Sequence, residues 1–150
     1  MHVREILRVK GSALFTETPQ QLLSDAVAVM AENDVGSLVI MEHGKMIGLL
    51  TFREVLKAVN ACKGGTDSVR VESVMVRDPV TVSPEMDVDD LRRLMINTRS
   101  RYIPVMEETT LMGVISFLDV AKAVLEEQSF ENRMLKNYIR NWPEGEAPQE

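Results

Sequence analysis

Two short stretches of the chain pair a hydroxyl with an acid three residues later: Thr51 and Glu54 in "GLLTFREV", Ser116 and Asp119 in "GVISFLDV". Each stands where an apolar, strand-like run hands over to a helix-like one, and two chemistries are open there. As a capping box, the hydroxyl satisfies amides of the first helical turn while the acid reaches back and favours the positive helix end. Alternatively the N–H donors at the helix start take a phosphate, and the carboxylate accepts hydrogen bonds from the paired hydroxyls of a ribose. That second combination suits a nucleotide. Glu is the better capping-box residue, and the shorter Asp holds its carboxylate in a more defined place. Ser116 and Asp119 are therefore the preferred site pair, with Thr51 and Glu54 second.

The remaining reactive residues offer little. Cys62 is the single cysteine, so no intrachain disulfide is expected, and no Cys or His cluster supplies metal ligands. His2 lies at the terminus, and His43 in "MEHGKM" reads as a hairpin-turn residue. No nucleophile with an adjacent base and no phosphate-cradling glycine loop is present, so no catalytic residue is assigned and an enzyme is not expected. With 23 acidic against 17 basic residues the net charge of -6 opposes general affinity for nucleic acid or anionic membranes. "MHVREILRVK" has no continuous apolar core, so neither a secretion signal nor a membrane span is read there, and a cytoplasmic location is expected.

The elements that must carry these pairs occur twice. Residues 15–59 align with 80–124 without a gap and with about a dozen identities, among them Thr16 with Thr81, Pro19 with Pro84, Met30 with Met95, Gly48 with Gly113 and Phe52 with Phe117. Upstream, "VREIL" pairs with "VESVM" at a slightly different offset. In each copy apolar residues fall at helical spacing after the proline: Leu22, Leu23, Ala26, Val27 and Met30, then Val88, Leu91 and Met95. "SLVIM" with "MIGLL", and "YIPVM" with "LMGVI", read as hairpins, and "FREVLKAVNA" and "FLDVAKAVLEE" as closing helices. With the short extended pieces "LFT" and "VTV" the expectation is an α+β fold of two β-α-β-β-α units. Each is small for an independent core, and at 150 residues and 45% hydrophobic the pair would share an interface.

"GLLTFREV" and "GVISFLDV", each behind a helix and hairpin, with "YIPV" on a hairpin strand and "VMVRDPVTVSP" leading into the second copy, resemble the tandem cystathionine-beta-synthase (CBS) domain pair, or Bateman module. The resemblance implies pseudo-twofold packing of two repeats, 1–63 and 71–127, joined by a linker at 64–70, with two clefts that commonly hold adenosine-containing ligands. It places a ribose-binding acid at Asp119 and its hydroxyl at Ser116. The first copy has Thr51 but carries Glu54 where the family usually has Asp. For the adenine it implies Val76, Pro79, Ile103, Pro104 and Val114. For the phosphate it implies Arg99 and Arg101, with Arg53 a weaker candidate. The ligand it suggests is AMP or ADP before ATP, with NAD and S-adenosylmethionine open.

Beyond the repeats, Phe130, Met134, Tyr138 and Trp142 step by four with Leu135 and Ile139 alongside, an apolar stripe on a helical extension over 128–142. The stripe either packs on the module's own surface or meets a second chain. Pro143 would end the helix, leaving 143–150 as a disordered tail. The resemblance implies a homodimer, and so a regulatory module that senses a ligand and acts on a protein partner or through its own dimer. The alternative is an assembly protein whose hydroxyl and acid pairs are only caps.

Overall fold

The apolar spacing after Pro19 and Pro84 becomes two equivalent helices in the computed structural model, which describes residues 1–11 and 13–141. Helix α2 (Leu23–Asn33) buries Leu23, Ala26 and Met30, and α4 (Val88–Thr98) buries Val88, Leu91 and Met95. Each stops at a residue in the left-handed region, Asp34 at φ 51° and Arg99 at φ 55°. The following amide then bonds back, Val35 N to the Met30 carbonyl and Ser100 N to the Met95 carbonyl, both at 3.0 Å. This is a Schellman-type stop without glycine.

An antiparallel hairpin follows each stop: β2 (Ser37–Glu42) with β3 (Lys45–Thr51), and β5 (Tyr102–Glu107) with β6 (Thr110–Ser116). His43 and Gly44 both have positive φ, as a two-residue hairpin turn requires. Both ladders shift register at the same place, between Ile40 and Met41 and between Val105 and Met106. The duplication thus extends to backbone irregularities. Thr51 and Ser116 then start helices α3 (Phe52–Ala61) and α5 (Phe117–Arg140).

The hairpins sit in different sheets. One has the order β1-β2-β3-β4, where β1 (Thr16–Glu17) lies parallel to β2 and β4 (Val76–Arg77) lies antiparallel to β3. The other is β5-β6, extended by a parallel bridge from Val82 to Val105. The expected pieces "LFT" and "VTV" are thus partly extended, at Thr16 and Val82.

The segments "VREIL" and "VESVM" exchange places between repeats. Val71 and Met75 belong to the first core, with Leu23, Leu38, Ile40 and Leu50. Val3 and Ile6, on helix α1 (Val3–Lys10), belong to the second, with Leu91, Met95, Ile103 and Ile115. Backbone bonds repeat the exchange: Val3 N to the Met86 carbonyl matches Val71 N to that of Gln21, both 2.9 Å, and Arg4 N to Pro84 (2.8 Å) matches Glu72 N to Pro19 (3.0 Å). Burying a side chain such as Val3 or Ile6 contributes about 1.5–3 kcal/mol, so each repeat depends on residues from outside its aligned core unit.

Close approach at two matched glycines secures the exchange. A Cβ at Gly48 would fall 2.6 Å from Met75 Sδ, and one at Gly113 would fall 2.9 Å from Leu7 Cδ2. Only a hydrogen leaves room for these side chains against the strands.

Helix α5 runs unbroken through Arg140, far past the last residue it buries, Val120. Phe130, Met134, Leu135 and Ile139 remain 57%, 53%, 57% and 51% exposed, so these four are not buried on the described residues of the module. Trp142, Pro143 and the acidic tail lie outside the described residues.

Candidate functional site

Both hydroxyl and acid pairs are closed capping boxes. Thr51 Oγ1 accepts from Arg53 N at 3.2 Å, while Glu54 Oε1 accepts from Thr51 N at 3.2 Å and from Thr51 Oγ1 at 2.8 Å. Ser116 Oγ accepts from Asp119 N at 3.1 Å, and Asp119 Oδ2 accepts from Ser116 N at 2.9 Å. Capping engages one carboxylate oxygen of each acid; among the described residues no hydrogen bond runs to Glu54 Oε2 or Asp119 Oδ1.

Two clefts open beside these junctions. The first, about 840 Å³, brings Thr51, Arg53 and Glu54 together with Arg99 and Arg101 over apolar walls from Val76, Pro79 and Val80. The second, about 600 Å³, is lined by Val114, Ser116 and Phe117 with Asp34 and Gly36, and by Lys10 and residues 13–15. Either volume suits a nucleotide-sized ligand. Phe52 and Tyr102 stand edge to face between them, ring centroids 5.8 Å apart, and with Arg101 line both. Burial pushes the Tyr102 hydroxyl above its usual pKa, so it stays protonated at neutral pH.

This arrangement redistributes the expected residues. Val76, Pro79, Arg99 and Arg101 do not assemble as a group around Ser116 and Asp119; they gather at Thr51 and Glu54, where Arg53 also lies. The cause is the pairing of β4 with β3, which carries residues 76–80 to the first junction. Ile103 and Pro104 line neither cleft. Ile103 is 0% exposed within the second core, and Pro104 is buried, its carbonyl accepting from Val82 N at 3.1 Å. Val114 does line the second cleft, with its carbonyl turned to Lys10.

Sequence reasoning missed Lys10, Asp34, Gly36, Phe52 and Tyr102. The repeat alignment could have signalled two of them, because Asp34 and Gly36 occupy the positions of Arg99 and Arg101.

Electrostatically the clefts differ. Three arginines and one carboxylate line the first. In the second, Lys10 Nζ donates to Asp119 Oδ2 and to the Val114 carbonyl, each at 2.7 Å. Burial pushes the Asp119 carboxyl up, but hydrogen bonds from Lys10 and the Ser116 amide, the Lys10 charge and the Ser116 hydroxyl outweigh it, and its pKa is lowered. Among the described residues no group of three His, Cys, Asp or Glu side chains could hold a metal, and Cys62 is an exposed free thiol. No helix of the described residues is long and apolar enough to cross a membrane.

Two hairpin repeats with a cleft beside each strand-to-helix junction define a paired-cleft module. The chain belongs to the CBS domain family, whose model matches residues 3–61 and 71–126. It is 31% identical over 147 residues to the mitochondrial CBS domain-containing protein CBSX3 of Arabidopsis thaliana, covering 92% of this chain and 71% of that one. Among solved structures, a putative signal-transduction protein with CBS domains from Burkholderia ambifaria superposes with a TM-score of 0.80 at 29% identity, over 85% of this chain and 96% of that one. The CBS-domain protein ATU1752 from Agrobacterium tumefaciens does so with a TM-score of 0.77 at 30% identity, over 82% and 98%. CBSX2, crystallised in complex with AMP, shares the fold with a TM-score of 0.71 at 21% identity, over 85% and 98%.

Proposed function

We propose that the chain is a regulatory module that takes an adenosine nucleotide, AMP or ADP, in the first cleft and passes occupancy to a partner by a change of shape. One observation carries this reading: Arg53, Arg99 and Arg101 line one cleft with a single carboxylate, Glu54, over an apolar floor. Guanidinium forks suit a phosphate, the apolar walls suit a base, and Glu54 Oε2 is the acceptor for ribose hydroxyls. The AMP bound by CBSX2 supports the choice of ligand class. Because residues of both repeats line the cleft, a ligand there favours one relative position of the repeats, and that difference in affinity drives the output. The recipient is a second protein or the module's own homodimer, in which the exposed α5 stripe meets a second copy.

Calorimetric titration of nucleotide-free protein with AMP, then ADP, ATP, NAD and S-adenosylmethionine, tests the reading. Saturable binding at one site per chain, weakened in Arg101→Ala, is the expected result. A second reading is favoured by the closed capping boxes at Thr51 and Ser116: an assembly protein whose pairs serve only as caps. Absence of heat and of thermal shift with every ligand would select it.

A further inference from the structure

The second cleft already contains a cation of the chain's own. Lys10 ends α1, and α1 is anchored by Val3 and Ile6 in the second core and by Arg4, whose guanidinium lies 2.6 Å from Glu85. The Lys10 ammonium is therefore delivered by a fixed helix. Gly11, at φ 91°, ends the helix directly after it. With side chains only 34% and 20% exposed, Lys10 and Asp119 form a partly sheltered pair, and Lys10 rather than Asp119 lines the cleft.

The first cleft has no equivalent. When "VREILRVK" is laid on "VESVMVRD", Lys10 falls on Asp78, and among the described residues Glu54 makes no ion pair. The charge at the helix stop is reversed as well, Asp34 standing where the first cleft has Arg99. The first cleft is thus basic, and its buried carboxylate makes no ion pair among the described residues. In the other, Lys10 holds Asp119 Oδ2, and an acid stands where the first cleft has Arg99, with Arg101 shared by both.

We propose that Lys10 decides which cleft binds: its ammonium stands in for ribose hydroxyls at Asp119 and for a donor to the Val114 carbonyl, closing the second cleft and leaving one nucleotide site per chain. The inference rests on the nucleotide reading above. Removing the cation would return both acceptors to the cleft and create a second site.

The test is calorimetry of the full chain and of Lys10→Met with adenosine and with AMP. Adenosine is the sharper probe, because it carries the sugar hydroxyls without a phosphate for Asp34 to repel. The expected result is one site in the wild type and two in Lys10→Met, with adenosine at the new site bound at least roughly tenfold more tightly than the wild type binds it there. The new site disappears in Lys10→Met combined with Asp119→Asn. Lys10→Gln, which keeps a polar stem, repeats the measurement should the methionine variant fold poorly. One site in both proteins, or two already in the wild type, overturns the role of Lys10 and leaves the nucleotide reading standing. No binding by any of the proteins overturns both.

Discussion

Arg99 and Asp34 are the same residue position written in opposite charge: each closes the first helix of its repeat in the left-handed conformation, and each faces the cleft formed with the other repeat. A backbone position fixed by helix termination thus carries the difference between the clefts.

Arg99 can be separated from its structural duty. Arg99→Gly removes the guanidinium but supplies the residue best suited to positive φ, offset by a more flexible unfolded chain, so stability should stay within about 1 kcal/mol of wild type. Affinity for AMP should fall roughly 10- to 100-fold in Arg99→Gly and in Arg101→Ala, the loss of a charge-assisted bond, while adenosine binding changes little. Calorimetry with the two ligands and a thermal melt check this; equal losses for AMP and adenosine would take the phosphate away from these arginines.

The two glycines against which the exchanged segments pack should respond unequally. Gly48→Ala meets both Met75 Sδ and the Val76 carbonyl, the latter at 3.0 Å, whereas Gly113→Ala meets only the end of the Leu7 side chain. Backbone yields less readily than a leucine methyl. Gly48→Ala should cost about 1–3 kcal/mol and Gly113→Ala less, as read by urea denaturation.

The contact between Lys10 and Asp119 should show in the acid dependence of stability. The Asp119 pKa is lowered in the folded chain, so the pair's contribution is present above the ordinary aspartate value of 3.8 and is lost as pH falls through the lowered one. The groups facing it are Lys10 from α1, Ser116 at its own helix start, and Tyr102 across the cleft. Wild type should exceed Lys10→Met by no more than about 1 kcal/mol at neutral pH, since the pair is partly exposed, and the gap should close in acid and in high salt. Denaturation across pH 2 to 7 checks both trends; a gap that widens in acid would contradict them.

The outer half of α5 should hold chains together. Replacing Met134 and Leu135, both more than half exposed, with glutamate should convert dimer to monomer in light scattering at tens of micromolar while leaving the melt of the module nearly unchanged. A wild type that is monomeric at that concentration would remove the stripe from any dimer contact.

Much of this was legible in the sequence. The helices, hairpins and caps followed from residues three or four apart, because apolar period and capping chemistry act within a turn or two of chain. Leu91 and Met95, or Thr51 and Glu54, needed no distant partner to declare themselves. The duplication announced two equivalent units with matched glycines at 48 and 113, and the family resemblance supplied the expectation of two clefts.

What packs against those glycines was not legible, for a reason inherent in a duplicated chain. "VREIL" and "VESVM" match each other, so either segment satisfies the pattern of either core, and local chemistry does not distinguish docking at home from docking across. The tertiary structure decides for the exchange, through Leu7 on Gly113, Met75 on Gly48 and β4 on β3. That one decision carries Val76 and Pro79 to the cleft of Glu54, and sets Lys10 on Asp119. By itself the sequence determined the two repeats and their acids; only folding, by joining residues on opposite sides of the duplication, determined which acid is paired with a cation.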